Sequence, residues 1–430
     1  MTAQNAAEKV RTRLSQHSFQ AFLVGGCVRD LLLGRKPKDF DITTNALPEE
    51  VISLFPKTIP VGAAFGVVVV VEDGHQIEVA TFRTDGEYSD ARRPNTVSYS
   101  TDVREDVQRR DFTINGLLCV GTADTSTVAA YEASLKGANT HITIGGETYG
   151  IADHVGGLAD LNTKVIRCIG EPLDRFNEDA LRMLRAVRFA AQLGFEIEEK
   201  TLKAIDAKAP AIKKISKERI AAELFKLVSA PFPVRGLVPL VTTGLADFIL
   251  PYDGGDFADT LRRFTLFPTT DPLKGMAMLL VNYDYETAMY FLNELKLSTE
   301  QKNVLEGALH NDGDTNNLDC LTLAELKKLA RRSGIQINLD LYEQEVAMER
   351  GTDTNEKWVE AIRKLRNFTQ DDIHPKPLVT GDDLIAMGLK PGPIFTKLLG
   401  ALETEQLNGT LTTPATALRF VQELAAQEKL

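Results

Sequence analysis

Two aspartates, Asp39 and Asp41, are separated by one residue and follow a glycine pair at positions 25–26. The stretch 39–42 alternates polar and apolar residues, which predicts a strand that carries both carboxylates on one face. Mg²⁺ prefers oxygen ligands and often binds one or two carboxylates together with substrate phosphates. The pattern therefore predicts a site for a metal ion and a triphosphate. A glycine turn followed by two solvated aspartates is the alternative interpretation.

Short elements must position these two side chains. An apolar run at 22–24 predicts a buried strand, and residues 28–33 predict a helix that Gly34 ends. The glycine pair lets the backbone approach a ligand closely, and the free N–H groups at the helix start favour a phosphate. Residues 22–44 are therefore predicted to form a strand–turn–helix–strand unit around the site.

A third carboxylate follows on a later strand. The valine-rich stretch 65–72 and the alternating stretch 76–82 are joined by Asp-Gly at 73–74, which predicts a hairpin. Glu78 points opposite to its apolar neighbours on the second of these strands. Glu78 could therefore lie beside the two aspartates, or it could be an edge-strand glutamate in water.

A polar stretch at 85–100 contains glycine and proline and predicts a long loop. A long loop next to a candidate active site is often a functional lid. Its Arg92 and Arg93 could bind phosphate, and Tyr88 could stack on a base. The alternative is a pair of solvated arginines.

A second informative stretch is predicted to be one helix, with Asn177 as its N-cap and Gly194 as its end. Asp179, Arg182 and Arg185 follow at three-residue spacing, which predicts a single ridge. Acceptors on Asp179 and donors on Arg182 could mimic the pairing edge of a base. The alternative is an ion pair on the helix surface, which is common and stabilises little.

The order of these motifs resembles the nucleotidyltransferase family that contains class II CCA-adding tRNA nucleotidyltransferases and bacterial poly(A) polymerases. The resemblance is dense over 20–230 and thinner after 375. Two departures are Gly116, where the family usually has alanine, and the stretch 121–150, which looks like an insertion or a lengthened hairpin without an assigned role. The motifs lie at 25–41 (A), 109–116 (B), 156–167 (C), 178–182 (D) and 216–227 (E).

This resemblance implies a fold class and a domain order. The fold expected is an α/β nucleotidyltransferase head, with a polymerase-beta-like mixed sheet and helices, followed by an all-α neck, body and tail. The catalytic head, the base-recognising neck, the helical body and the RNA-binding tail are expected at 1–155, 156–230, 231–370 and 371–430.

The resemblance also implies roles for single residues. Asp39 and Asp41 would hold two Mg²⁺ ions, and Glu78 would support the metal site. Tyr88, Arg92 and Arg93 would belong to a flexible loop beside the RNA. The nucleotide-binding residues expected are Gly25, Gly26, Arg29 and Arg110 for the triphosphate, Asp111 and Asn115 for the ribose, and Asp179, Arg182, Arg185 and Arg188 for the base.

The activity implied is Mg²⁺-dependent addition of CCA to the tRNA 3′ end from CTP and ATP, without a nucleic-acid template. A poly(A) polymerase, an enzyme that adds only CC or only A, and a non-catalytic RNA or nucleotide binder remain alternatives. The stretch 61–67 lacks the arginine-rich run expected of a bacterial poly(A) polymerase, and the C-terminal stretch 423–430 is not basic. Both features favour CCA addition.

Composition limits the partners. The chain has 430 residues and a formal net charge of −11, which argues against a general nucleic-acid coat and predicts no DNA partner. The segment 161–226 is locally basic, with 14 Lys and Arg against 10 Asp and Glu. Four widely spaced cysteines and the absence of a long apolar run predict a cytoplasmic protein without a membrane partner, in an oligomeric state that the sequence does not specify.

Overall fold

The structure is a computed structural model that describes residues 2–62, 66–85, 97–122, 140–144, 147–251, 257–310, 315–349 and 356–427. The chain divides into two compact units, 1–256 and 257–430. The first unit contains the predicted head and neck and the first part of the predicted body, 231–256, and the second contains the rest of the predicted body and the tail. The finer division into four parts stays a prediction.

A mixed β-sheet forms the centre of the first unit. In the described part of the chain eight strands follow the order β3-β4-β5-β2-β1-β8-β10-β9, and β2 and β5 run parallel. Two further pairs, β6–β7 and β11–β12, lie outside this sheet. The strands β1 to β12 span Ala21–Val24, Asp41–Thr44, Thr58–Gly62, Val67–Glu72, His75–Thr81, Arg83–Asp85, Val97–Tyr99, Leu118–Thr122, Thr140–Ile144, Glu147–Ala152, Val165–Ile166 and Glu196–Ile197.

The predicted strand–turn–helix–strand unit is present, with two shifted boundaries. The helix is Gly26–Leu32 and begins earlier than predicted, directly after the glycine turn. Strand β2 begins at Asp41, so Asp39 lies before the strand rather than in it. Exposure still alternates as predicted, because Phe40 is buried while Asp39 is exposed. The approach to β2 therefore continues the pleat without pairing in the sheet.

The hairpin predicted from the sequence joins β4 and β5. Asp73 and Gly74 both adopt positive φ values, 48° and 80°, which is the conformation of a type I′ turn. Strand β5 then pairs in parallel with β2, and this register sets Glu78 opposite Asp41. A contact between two distant carboxylates therefore follows from the sheet order.

Helices pack against the sheet and form the neck. The core beneath the site includes Phe22, Val24, Phe82 and Leu118, with Val107 from a helix. The helices of this unit are Ala3–Gln16, Gly26–Leu32, Pro48–Leu54, Val103–Gln108, Gly157–Thr163, Pro172–Glu178, Leu181–Leu193, Glu199–Lys208, Lys217–Val228, Pro233–Thr242 and Ala246–Ile249, with short 3₁₀ helices at Thr113–Asn115 and Ala209–Lys214.

The described part of the second unit is helical. One apolar core surrounds Trp358 and Leu339, and another surrounds Leu384 and Leu398. None of the described helices combines the length and the apolar character that a membrane span requires. The helices are Ala258–Leu266, Pro272–Leu280, Tyr285–Glu294, Thr299–Leu309, Leu323–Ala330, Ile335–Glu349, Glu356–Asn367, Gln370–Ile373, Gly381–Ala386, Pro393–Asn408 and Pro414–Gln427, with a 3₁₀ segment at Thr315–Cys320.

The linker predicted at 371–378 is only partly irregular. Residues Gln370–Ile373 form a helical turn that the side chain of Thr369 caps. The Nε of Arg331 donates to the carbonyl of Ile373 at 2.6 Å, and Gln406 donates to the carbonyl of Lys376 at 2.7 Å. These bonds hold the segment against neighbouring helices, which proline content alone does not reveal.

The mixed sheet with helices, followed by a helical remainder, confirms the predicted architecture.

Candidate active site

One polar cleft of about 560 Å³ lies in the first unit, between the sheet and the neck helices. Its lining combines the glycine turn, two aspartates of the β2 region, the motif B segment and the neck. The lining residues are Gly25, Gly26, Arg29, Asp39, Asp41, Arg109, Arg110, Asp111, Asn115, Asp179, Arg182, Arg185, Arg188, Phe189 and Arg219.

The glycine turn forms the floor of the cleft. Gly25 has φ +81°, a conformation that side chains with a Cβ rarely adopt. A Cβ at this position would lie 3.6 Å from Nη1 of Arg110 and 3.7 Å from Oδ2 of Asp41. The turn therefore keeps bare backbone between a guanidinium and a carboxylate, where a phosphate can approach.

Three carboxylates meet at one end of the cleft region, and we call Asp39, Asp41 and Glu78 the carboxylate end. Burial raises the pKa of Asp41 to about 6, and the charge of Glu78 acts in the same direction. Arg110 opposes this shift, while Asp39 adds to it. The negative charge here is thus only partly compensated by the protein.

A divalent cation fits this donor set. Within the described residues, no group of three or more His, Cys, Asp or Glu side chains encloses a metal position by itself. Mg²⁺ does not require such a cage, because it commonly uses one or two carboxylates and takes its other ligands from phosphates and water. The partly uncompensated carboxylates Asp39 and Asp41 fit this mode of binding.

Asp106 holds the two arginines of motif B. Its carboxylate is fully buried and accepts from Nε of Arg109 at 2.9 Å, Nη2 of Arg110 at 3.0 Å and Oγ1 of Thr43 at 3.0 Å. Burial alone would raise the pKa of Asp106, but Arg110 and Arg109 overcome this effect and lower it. Arg110 therefore keeps its Nη1 directed towards Gly25.

A continuous hydrogen-bonded chain links the glycine-turn helix to the neck. Arg29 donates to Asp30 at 2.8 Å and to the side-chain oxygen of Asn115 at 2.7 Å. The amide nitrogen of Asn115 donates to Asp111 at 3.1 Å, and Asp111 accepts from Nη2 of Arg185 at 2.6 Å. Although burial opposes it, Arg185 holds the pKa of Asp111 well below its usual range. The chain fixes both arginines before any ligand binds.

The single helix predicted from Asn177 is wrong. Asn177 lies inside the helix Pro172–Glu178, and Asp179 is extended, with φ −144° and ψ 104°. The next helix, Leu181–Leu193, begins after this break, and Asp179 accepts from the backbone N–H of Leu181 at 3.0 Å. Asp179 thus caps the second helix through its side chain, which competes with a continuous helix. The predicted ridge is therefore incomplete, because Asp179 lies outside the helix that carries Arg182 and Arg185.

Asp179 and Arg182 are both held by other groups. Nη2 of Arg219 donates to Asp179 at 2.8 Å. Arg182 donates to Glu178 at 2.6 Å and to the backbone carbonyl of Arg109 at 3.0 Å. These bonds direct an acceptor group and a donor group into the same cleft, although not along one regular helix.

Arg188 is the most buried of the three arginines on the helix Leu181–Leu193. Its Nε lies 2.6 Å from Oε2 of Glu223, and the side chains are 9% and 7% exposed. The two atoms form a charge contact without hydrogen-bond geometry. Burial lowers the pKa of Arg188 to about 10, while Glu223 acts in the opposite direction, so the guanidinium stays charged at neutral pH.

Five arginines line this side of the cleft. We call Arg29, Arg182, Arg185, Arg188 and Arg219 the arginine wall.

The structure brings together almost all site residues expected from the sequence. The metal-site and nucleotide-site candidates line the cleft, whereas Glu78 reaches the site through its pairing with Asp41. Tyr88, Arg92 and Arg93 lie outside the described residues. The individual roles of all these residues stay predictions.

Sequence reasoning missed five residues of the cleft and its surroundings. Arg109 adjoins Arg110, and Asp106, on the helix Val103–Gln108, precedes Arg110 by four residues and forms an ion pair with it. Arg219 and Glu223 are also four residues apart and face the neck from the helix Lys217–Val228. Phe189 also lines the cleft, and nothing in its spacing along the sequence indicates that arginines surround it.

Three family descriptions match successive parts of the chain. Residues 21–167 match "Poly A polymerase head domain", and residues 194–252 match "Probable RNA and SrmB- binding site of polymerase A". Residues 273–421 match "tRNA nucleotidyltransferase domain 2 putative". The order of these matches agrees with a head followed by helical regions.

Similar proteins extend over the whole chain. The CCA-adding enzyme of Bacillus pumilus is 39% identical over 289 residues, which cover 67% of this chain and 66% of that protein. The CCA-adding enzyme of Pediococcus pentosaceus is 33% identical over 96% of both chains. The crystal structure of the Bacillus stearothermophilus CCA-adding enzyme in complex with CTP covers 100% of both chains with a TM-score of 0.71 and 29% identity. With Asp39, Asp41 and the arginine wall in one cleft, these likenesses show that the chain belongs to the CCA-adding enzyme family.

Proposed function

We propose that this protein adds CCA to tRNA 3′ ends from CTP and ATP, without a nucleic-acid template. The 3′-hydroxyl of the RNA attacks the α-phosphate of the nucleotide, and pyrophosphate leaves. One observation carries the proposal: Asp39 and Asp41 of the carboxylate end line the same cleft as the arginine wall. Its volume of about 560 Å³ lies within the usual range of small-ligand sites, roughly 300–1,000 Å³.

Asp39 and Asp41 are proposed to bind two Mg²⁺ ions, with Glu78 supporting Asp41 from the paired strand. Bound there, Mg²⁺ supplies Lewis-acid chemistry that lowers the pKa of an attacking hydroxyl and neutralises charge on a leaving phosphate. The pKa of Asp41 is raised to about 6, so the protein alone does not fully stabilise its charged form. A bound cation would favour that charged form, which supports the assignment. Asp39 is exposed and so remains accessible from the cleft.

The triphosphate is proposed to lie over the glycine turn. Gly25 and Gly26 leave the backbone accessible, and Arg110 directs its Nη1 to the same point. The buried Nε of Arg110 has no hydrogen-bond partner within the described residues, so this guanidinium retains unused donors. Arg29 lines the neighbouring wall of the cleft. Planar guanidinium groups suit phosphate oxygens well.

The base is proposed to lie at the neck, where Asp179 supplies acceptors and Arg182 supplies donors. Cytosine and adenine each present a donor amino group beside a ring acceptor, so one pair of protein groups could read both. Arg185 and Arg188 are proposed to complete the base pocket. Asp111 and Asn115 are proposed to contact the ribose, in addition to the arginines that they already hold.

The RNA is proposed to be tRNA, bound by the helical regions of the chain. This is supported by the match of residues 273–421 to a tRNA nucleotidyltransferase domain. The tail 371–430 and the loop residues Tyr88, Arg92 and Arg93 are included in the proposed RNA contacts. A cytoplasmic location also belongs to the proposal, and free cysteines, of which Cys320 is exposed, are consistent with a reducing compartment.

The test is sequencing of product 3′ ends after reaction of the full chain with tRNA lacking CCA, CTP, ATP and Mg²⁺. Addition of CCA is the expected result. Products that end in CC would identify a CC-adding enzyme, and products that carry a tract of A would identify a poly(A) polymerase. Extension by one A of a second substrate, tRNA that already ends in CC, without extension of the first would identify an A-adding enzyme. Absence of any extension would reject the enzyme and favour a binding protein.

A further inference from the structure

Phe189 lies in the wall of the nucleotide cleft, where three guanidinium groups surround its ring. The Cζ atoms of Arg188, Arg29 and Arg185 lie 3.9, 5.1 and 5.5 Å from the ring centroid. The side chain is 5% exposed and belongs to the helix Leu181–Leu193. All three distances fall within about 6 Å, the range of cation–π attraction.

The three arginines reach this ring from two different places. Arg185 and Arg188 share the helix of Phe189, whereas Arg29 comes from the helix Gly26–Leu32 beside the glycine turn. Each guanidinium has a different polar partner: Asn115 accepts a hydrogen bond from Arg29, Asp111 accepts one from Arg185, and Glu223 forms an ion pair with Arg188.

Like charges this close repel one another, and the protein must compensate for that repulsion. The face of an aromatic ring carries partial negative charge, and its attraction for a cation strengthens when both are removed from water. The side chains of Arg29 and Arg188 are each only 9% exposed. Phe112 packs at 5.7 Å with an interplanar angle of 82°, and this contact fixes the plane of the Phe189 ring. An aliphatic side chain would fill the space without supplying the charge.

We propose that Phe189 is a positioning residue whose ring face holds Arg29, Arg185 and Arg188 at the spacing that a nucleoside triphosphate requires. The inference rests on the proposed function, because it takes these arginines as nucleotide ligands. Phe189 acts through the arginines and makes the cleft ready for CTP or ATP before either binds. A ready-made site binds more tightly because less freedom is lost on binding.

The experiment replaces Phe189 in the full chain with mono-, di- and trifluorophenylalanine by suppression of a nonsense codon. Fluorine withdraws charge from the ring face and changes the ring volume little. For each fluorinated variant, equilibrium dialysis measures the dissociation constants of CTP and ATP, and thermal melts check that the protein remains folded. We expect a stepwise loss of affinity, about tenfold in total for the trifluoro ring.

Phe82 provides the matched control, because it is fully buried in the same unit and stacks on Phe22 at 6.3 Å. The same substitutions there should leave nucleotide affinity constant. Constant affinity across the Phe189 series, or an equal trend in both series, would overturn the inference. Extension of tRNA by the unsubstituted protein tests the proposed function separately. Graded CTP binding without any extension would support the role of Phe189 and reject the proposed activity.

Discussion

The two ends of the cleft balance their charges in opposite ways. At the carboxylate end, burial and then the neighbouring acidic groups raise the pKa of Asp41 to about 6. Along the arginine wall, each guanidinium already contacts a carboxylate, as Arg185 does with Asp111 and Arg219 with Asp179. The first end has charge that only an added cation would balance, whereas the second is balanced before a ligand arrives.

This difference indicates how the two ends should respond to change. Removal of a carboxylate from the first end should cost activity without costing stability, because the protein gains little from that charge. Removal of a partner from the second end should cost stability as well, because a buried charge then loses its counter-ion. Four substitutions, in order of decreasing expected effect, test the carboxylate end, the buried counter-ion of the motif B arginines, base recognition by the neck and the ion pair of Arg185.

Asp41→Asn should lower the rate of nucleotide incorporation by about 10³-fold or more, because the proposed metal site loses a ligand. The melting temperature without Mg²⁺ should stay equal or rise, because a charge disfavoured by burial and by Glu78 is removed. Incorporation of labelled CMP into tRNA and thermal melts are the two measurements. Asp73→Asn is the control, since asparagine accepts the positive φ of 48° at that turn. Near-normal turnover of Asp41→Asn would show that the metal site is assigned wrongly.

Asp106→Asn should lower the free energy of unfolding by about 3 kcal/mol, because Arg109 and Arg110 lose their shared buried counter-ion. Urea denaturation measures this change. Thr43→Val removes only the hydroxyl that donates to the same carboxylate and should cost about 1 kcal/mol. Equal losses in the two variants would mean that the charge of Asp106 contributes nothing beyond its hydrogen bonds.

Asp179→Ala should weaken the exclusion of UTP and GTP by about 10²-fold, because a base site built from hydrogen-bonding groups discriminates through the pairs that it leaves unmade. Arg182→Ala should also alter base choice, and Arg219→Ala should reproduce the effect of Asp179→Ala because Arg219 holds that carboxylate. Incorporation of all four nucleotides is the measurement. Arg235→Ala, which breaks an exposed ion pair with Glu196 on the neck, is the matched control. Unchanged selectivity in all three variants would show that Asp179, Arg182 and Arg219 do not select the base.

Asp111→Asn should change how stability depends on pH. The pKa of Asp111 is lowered in the folded protein, so its charge stabilises the fold above about pH 4, and this contribution is lost as the pH falls. We expect the variant to be less stable than the unchanged protein at pH 7 by about 2 kcal/mol, and the gap to shrink in acid. Urea denaturation at pH 7 and pH 2.5 measures both gaps, because the lowered pKa keeps Asp111 largely charged at milder acidity. A gap that is the same at both pH values would contradict the ion pair with Arg185.

Local patterns predicted the acidic pair and the turn before Glu78, whereas the approach of Glu78 to Asp41 depends on the pairing of β2 with β5. Alternation places Asp39 and Asp41 on one face, and the Asp-Gly dipeptide at 73–74 places the turn before Glu78. These features depend on backbone sterics and hydrophobic burial within a few residues, which the sequence displays directly. The same reasoning failed at Asp179, because its side chain competes with the helix for a backbone N–H, and the residues around it are equally compatible with one helix or two.

By itself the sequence determined the short elements, the positions of the acidic pair and the order of the motifs, since each of these follows from interactions between near neighbours. The tertiary structure decided which charge balances which. Arg29 meets Asn115 across 86 residues and Arg185 meets Asp111 across 74, and three arginines converge on Phe189. Such pairs depend on separation in space, and spacing along the chain carries no information about it until the sheet order brings head and neck to one cleft.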